Sequence, residues 1–252
     1  MIRRFESSVG DSAPTGVTNT YLVGDPGVLV DPASDDIAEM VEGTNVDHAV
    51  VTHTHPDHVG GMVAVEEALD TTIWARYGRV ERFERETGVE PDRTFESGDE
   101  LGDSGVTVID APGHAPDHVV FRREATAVVG DIARAEGSVM VGTPDGDMRA
   151  YLTTLRRLRQ VAVERAYPGH GPPIKDPTDR FEQLLAHRLM RERRIEAAVN
   201  DGAKRVKPIL DSAYEKDLEG KEELASRTVR AHLEKLAVEG RVRWDGEVGL
   251  PP

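Results

Sequence analysis

The stretch His53-Thr54-His55-Pro56-Asp57-His58-Val59-Gly60-Gly61 places three imidazoles and a carboxylate within six residues. A donor set of nitrogen and oxygen alone suits zinc and, less selectively, iron or manganese. In an extended stretch, residues two apart point the same way, so His53 and His55 can share one ion. The turn at Pro56 then redirects Asp57 and His58 toward a second. The paired glycines are read as letting the next helix begin close to the ions without side-chain obstruction.

Outward from this stretch, short β-rich runs recur, each delivering a polar residue at its end. Val28-Leu29-Val30 leads into Asp31, Ala49 to Thr52 into His53, and Val106 to Ile109 into Asp110 and then His114. Ala127 to Gly130 leads into Asp131, and Arg165-Ala166-Tyr167 into Pro168 and then His170. A rigid sheet presents a site on its edge loops in this way. Helical patterns between the runs, over residues 35–41, 62–69, 77–86 and 148–161, make the class mixed α/β. His53, His55, Asp57, His58, His114, Asp131 and His170 are together enough for two ions with a bridging carboxylate.

Charge divides the chain. The 46 acidic against 31 basic residues give a net charge of −15. Residues 178–252 hold 15 of each sign, so the whole excess lies in residues 1–177. The proline cluster between Pro172 and Pro177 marks the boundary of two expected modules, 1–177 and 178–252. In the second, a long helix over residues 179–199 carries Phe181, Leu184, Leu185 and Leu189, and further helices are expected over 207–214 and 224–238. Asp245-Gly246 then signals a hairpin, completing the pattern of a winged helix. Among the remaining histidines, His48 reads as structural and His232 as solvent-facing. His118 is a candidate to orient a ligating imidazole, and His187 a candidate substrate contact.

Composition narrows the chemistry. There is no cysteine, which excludes disulfides, thiolate nucleophiles, iron–sulfur clusters and Cys-ligated zinc. The longest apolar runs are far short of the ~20 residues a membrane span needs. No apolar segment follows Arg3-Arg4, so no secretory signal is expected and the predicted address is cytoplasmic. The dense carboxylates, with Arg far outnumbering Lys, suggest a halophilic-type acidic surface.

The motif H-x-H-x-D-H over His53–His58, with the later His114, Asp131 and His170 and the earlier Asp31, resembles the metallo-β-lactamase superfamily across residues 1–177. The resemblance implies an αββα sandwich with the ions at the sheet edges. It assigns His53, His55 and His114 to the first ion, Asp57, His58 and His170 to the second, and Asp131 to both. Asp31 then orients a ligating imidazole by hydrogen bonding. The implied cofactors are two zinc ions, with iron or manganese as alternatives. The implied chemistry is hydrolysis by a metal-bridging hydroxide, with Asp57 as the catalytic group that orients it or takes up its proton.

Thr18 to Gly24, Pro112-Gly113-His114 with Asp117-His118, Pro168 to Pro172, and His187-Arg188 with Arg191-Glu192 are similar to the β-lactamase-like protein 2 group. That group joins this catalytic domain to a winged-helix-like C-terminal domain. Some of its members cut single-stranded RNA, so the resemblance implies an endoribonuclease-like phosphodiesterase. Asn19 is then a candidate substrate contact, against the reading that it shapes a turn before a strand. The alternative is a thioester or ester hydrolase resembling glyoxalase II. A third reading is a regulatory module binding DNA through Ser226, Arg227, Thr228 and Arg230.

The net charge and the 5% aromatic content weigh against a polyanion. The seven basic residues against three acids between Arg188 and Lys207 weigh the other way, or form a solvated helix face. The expected partners are a small-molecule or single-stranded RNA substrate, with a second copy of the chain as candidate protein partner. No membrane partner is expected, and duplex DNA is disfavoured.

Overall fold

The computed structural model describes residues 1–13, 15–215, 218 and 220–252. The chain forms two compact units. The first comprises residues 1–111, 117–137 and 162–177, and the second residues 112–116, 138–161 and 178–252. The boundary expected after Pro177 is thus one of several points where the chain passes between them.

Two sheets build the first unit. The larger has six strands in chain order: β1 (Ile2–Ser8), β2 (Val17–Val23), β3 (Val28–Val30), β4 (His48–Val50), β5 (Thr72–Arg76) and β6 (Arg93–Phe95). β1, β2 and β3 pair antiparallel, and pairing from β3 to β6 is parallel. The smaller sheet contains β7 (Thr107–Asp110), β8 (Val119–Arg123), β9 (Thr126–Gly130) and β10 (Arg165–Pro168), in the order β10-β9-β8-β7.

Side-chain alternation along the strands sets the layers. Tyr21, Val23, Val28, Val30, Val50 and Trp74 pack with Val108, Val119, Phe121 and Val128 of the smaller sheet. The intervening Leu22, Leu29, Ala49, Ile73 and Ala75 pack with helices α1 (Ile37–Met40), α2 (Pro56–Val59), α3 (Met62–Ala68) and α4 (Val80–Thr87). The strands are therefore apolar on both faces, as a sheet covered on both sides requires.

The same pairings place polar residues together. β3 and β4 are parallel with Val30 opposite Val50, so Asp31 and the His53 segment leave the sheet at the same end, tied by Asp31 N to Val50 O at 3.0 Å. β9 and β10 are also parallel, with a register shift at Pro168, and Gly169 N donates to Gly130 O at 3.0 Å. Asp131 and His170 follow from those neighbouring ends.

In the second unit, α5 (Met148–Leu158), α6 (Pro177–Asn200), α7 (Val206–Ala213) and α8 (Glu222–Val238) precede a two-stranded antiparallel sheet of β11 (Arg243–Trp244) and β12 (Gly249–Leu250). Ile195, Val199, Ile209, Leu210, Val229, Leu233 and Leu236 form its core. His232, expected to face solvent, is fully buried on α8. It lies 3.5 Å from Glu192 of α6, which is itself held by Lys235 and Arg241. The helix expected over 224–238 is present as α8, and the ionic cluster widens its buried face. No helix among the described residues is long and apolar enough to cross a membrane.

Candidate metal centre

Asp31 anchors the site. It is fully buried and, among the described residues, one of two non-glycine residues at positive φ, 55°. Its Oδ1 accepts from Thr52 N at 2.6 Å, and its Oδ2 accepts from Thr52 Oγ1 and from His58 Nδ1, both at 2.9 Å. Because Thr52 Oγ1 donates to Asp31, its lone pairs face His53 Nδ1 at 3.1 Å. Asp31 thus orients His58 directly and His53 through one hydroxyl.

Two further rings are turned as His53 and His58 are, with Nδ1 on a supporting oxygen. His170 Nδ1 donates to Val17 O at 2.9 Å. In the second unit, His114 Nδ1 donates to Met140 O at 2.7 Å, and Arg188 donates to the neighbouring Val139 O. A carbonyl oxygen only accepts, so Nδ1 carries the proton and Nε2 keeps its lone pair, the tautomer a ligating imidazole needs. His118 is the reverse: its Nε2 accepts from Asp131 N at 3.1 Å while its ring stacks on His53. It therefore touches both Asp131 and His53.

The donors converge. His53, His58 and Asp131 form one group whose ligand atoms lie within 4.8 Å of one another, and Asp57, His58 and His170 form another. His53 Nε2 is 3.0 Å from His55 Nδ1. Two lone pairs that close repel unless a proton or cation stands between them. His58 Nε2 and His170 Nε2 are buried without a hydrogen-bond partner. They stand 3.8 and 3.3 Å from Asp57 Oδ2 and 3.9 and 3.5 Å from Asp131 Oδ1. Four ligands about 2.1 Å from a tetrahedral ion stand roughly 3.4 Å apart. The residues present therefore fit bound cations.

Titration behaviour carries the same sign. Burial alone lowers the basicity of His170, but Asp131 and Asp57 outweigh it and raise its pKa to about 10. His58 is likewise raised against the effect of burial, chiefly by Asp31. Burial would raise the Asp57 carboxyl, but His170 and His58 hold it below its usual range. The carboxylates of the pocket thus favour positive charge beside them.

Two readings are corrected. Gly60 and Gly61 do not clear space for the ions: a Cβ on Gly60 would stand 2.6 Å from Ala33 O, and one on Gly61 2.3 Å from Ser34 O. They are needed for the loop after β3. Glycine is needed against the donors at Gly169 instead, where a Cβ would stand 2.6 Å from the His58 ring and 2.7 Å from Asp131 Oδ1. Asn19 lies within β2, not in a turn. Its buried amide donates to Pro168 O at 2.9 Å and Gly171 O at 2.8 Å, so it braces the His170 turn, as does Tyr21 through its hydroxyl on Pro168 O. His187 lies half-buried on α6, where burial and the neighbouring Arg188 and Arg191 lower its pKa to about 4.

One group of supporting residues was not read from sequence. Asp117 accepts from Thr54 N at 3.0 Å and Thr54 Oγ1 at 2.7 Å, and Arg82 of α4 donates to the same hydroxyl at 2.7 Å. These bonds hold the peptide between His53 and His55. The only sequence signal was Asp117 itself, in Asp117-His118.

The structure thus combines a two-sheet α/β fold with a cluster of imidazoles and carboxylates at its strand ends that could hold metal ions. The metallo-β-lactamase superfamily model matches residues 13–170, and the chain belongs to that superfamily. A β-lactamase-like protein 2 homolog of Caenorhabditis elegans is 31% identical over 194 residues, covering 71% of this chain and 64% of that protein. The chain thus spans just under two thirds of that relative. An atrochrysone carboxyl ACP thioesterase of Cryptosporiopsis is 26% identical over 92% of this chain and 78% of its own length. A metallo-β-lactamase family protein of Thermus thermophilus shares the fold at a TM-score of 0.79 and 22% identity, over 100% of this chain and 98% of that one.

Proposed function

We propose that this metallo-β-lactamase-fold hydrolase is a two-metal phosphodiesterase acting on single-stranded RNA. The observation that carries hydrolysis is the convergence of Nε2 lone pairs and carboxylate oxygens around Asp57, His58, Asp131 and His170. Two bound divalent cations supply a water acidic enough to react near neutral pH and positive charge facing the developing oxyanion. His53 and His55 would hold the first cation, to which the family resemblance also assigns His114, and Asp57, His58 and His170 would hold the second, with Asp131 on both. Zinc suits this nitrogen and oxygen set, and iron or manganese can replace it. Asp57 Oδ2 stands 3.8 Å from His58 Nε2 and 3.3 Å from His170 Nε2, and would take up the proton of the attacking water.

The RNA substrate is supported by the likeness to the β-lactamase-like protein 2 group and by the charge-neutral C-terminal 75 residues. α6 to α8 with β11 and β12 have the element order of a winged helix, proposed here as a packing module. Arg227 pairs with Glu223 and Thr228 donates to Leu224 O, which engages two residues that a DNA reader would need. A cytoplasmic location and a salt-adapted surface belong to the same proposal.

Metal-loaded protein incubated with labelled single-stranded RNA tests it: cleavage should appear and should be abolished by His58→Ala. The second reading, thioester or ester hydrolysis, is favoured by the name of the Cryptosporiopsis relative and its match over 92% of this chain. Inert RNA alongside turnover of S-lactoylglutathione would replace the first reading by the second.

A further inference from the structure

α5 opens under Asp147, whose Oδ1 accepts from Ala150 N at 3.0 Å. Met148, Tyr151, Leu152, Leu155 and Leu158 bury one side of the helix, and Arg149, Thr153 and Arg157 are exposed on the other. These three follow one another at i, i+4 spacing, so Arg149 and Arg157 stand in one row about 12 Å apart along the axis. With Pro112, Asp147 and Thr154 they line an open groove of about 360 Å³.

Two arginines and one carboxylate give this groove a net positive lining. Arg76, Arg194, Arg227 and Arg241 are each paired with a carboxylate, and Arg159, just beyond α5, is held by Glu182 at 3.1 Å. Arg149 and Arg157 make no ion pair among the described residues. Asp147 is the only acid lining the groove, and one of its oxygens is engaged by the helix backbone. In a chain with 46 acids and 31 bases, two exposed guanidinium groups facing one groove give it a charge that complements an external anion.

The groove also leads to a candidate ligand. Pro112 begins the segment that carries His114 two residues later. α5 and its cap hold that segment through Thr154 Oγ1 on Pro112 O at 2.8 Å and Asp147 N on Gly113 O at 2.9 Å.

We infer that Arg149 and Arg157 form a track for the phosphodiester backbone of single-stranded RNA, guiding the strand along α5 toward the Pro112–Pro116 turn. The inference rests on the ribonuclease reading above. A guanidinium matches a phosphate with two parallel hydrogen bonds. Thr153 donates its hydroxyl to Arg149 O and serves only as a small spacer. No aromatic side chain lines the groove, so the track reads backbone charge and not base identity.

The test measures binding of a short labelled RNA to the metal-loaded protein across a salt series, for wild type, R149A/R157A and R149K/R157K. Both positions are exposed, and thermal midpoints and metal content of each variant are recorded alongside. The alanine pair should bind about tenfold more weakly at ~0.1 M salt, and its slope of log affinity against log salt should shrink by about 1.4, the value for two phosphate contacts on a single strand. The lysine pair, keeping both charges, should restore most of the slope. Wild-type affinity and slope in the alanine pair would overturn the track and leave the ribonuclease reading standing. Absence of RNA binding and cleavage by the wild type would end that reading and the track with it. Loss in the alanine pair of turnover on an acyl-carrier-protein thioester, with RNA inert throughout, would assign the groove to an acidic protein and overturn the RNA track.

Discussion

Asp31 concentrates more of the site's geometry than any ligand. Three donors meet its two oxygens, and through them His53 and His58 acquire both orientation and tautomer. Asp31→Ala leaves Thr52 N and His58 Nδ1 buried without an acceptor and frees the His58 ring to turn. Metal affinity should fall about 10- to 100-fold, measured by competition with a chromophoric chelator, and wild-type affinity in this variant would show that the rings are held by other means. The seven donors were legible in sequence because each follows a β-rich run at a strand end. Arg82 was not, because Glu81-Arg82-Phe83-Glu84-Arg85-Glu86 reads as a solvated charged face. Only folding brings α4 against Thr54, 28 residues away in sequence.

The helices of the second unit show a similar divide between what is local and what is distant. The apolar spacing in α8 located that helix to within two residues, yet its ionic neighbours come from α6 and from Arg241. Glu192 is buried, accepts from Lys235 and Arg241, and has its carboxyl pKa lowered to about 2: burial opposes the shift, while His232 and Lys235 outweigh it. Nothing in an i, i+4 pattern could reveal a pairing across 43 residues. Removing the carboxylate leaves buried cations uncompensated, so Glu192→Ala should destabilise the protein by about 3 kcal/mol or more, read from denaturant unfolding. The sign of the pH dependence follows. Glu192 contributes fully above its ordinary value of 4.5, and the contribution is lost as pH falls toward 2. His187, buried neutral with its pKa near 4 instead of 6.5, adds stability above 6.5 that is lost as pH falls toward 4. Unfolding midpoints should therefore decline in two stages below pH 6.5, and a flat profile from 6.5 to 4 would contradict the burial of neutral His187.

Across the whole molecule, the excess of negative charge lies in residues 1–177, the same stretch that carries the candidate ligands. Self-repulsion at a net charge of −15 is screened by salt, so the thermal midpoint should rise steadily from dilute buffer to multimolar KCl. Full stability in dilute buffer would count against a salt-adapted surface. The mixed α/β class and the order of the donors were readable from sequence because short β-rich runs and turn residues are local, whereas the two-sheet arrangement was implied by the family resemblance. The division into units was not, because residues 112–116 and 138–161 pack with the C-terminal helices despite lying in the middle of the chain. All functional inferences here depend on those donors binding cations. The most direct measurement is metal content by elemental analysis after equilibrium dialysis against zinc, manganese and iron in turn. Two ions per chain in the wild type, falling to one or fewer in His58→Ala, is the predicted result, and no stoichiometric uptake of any of the three would contradict the account.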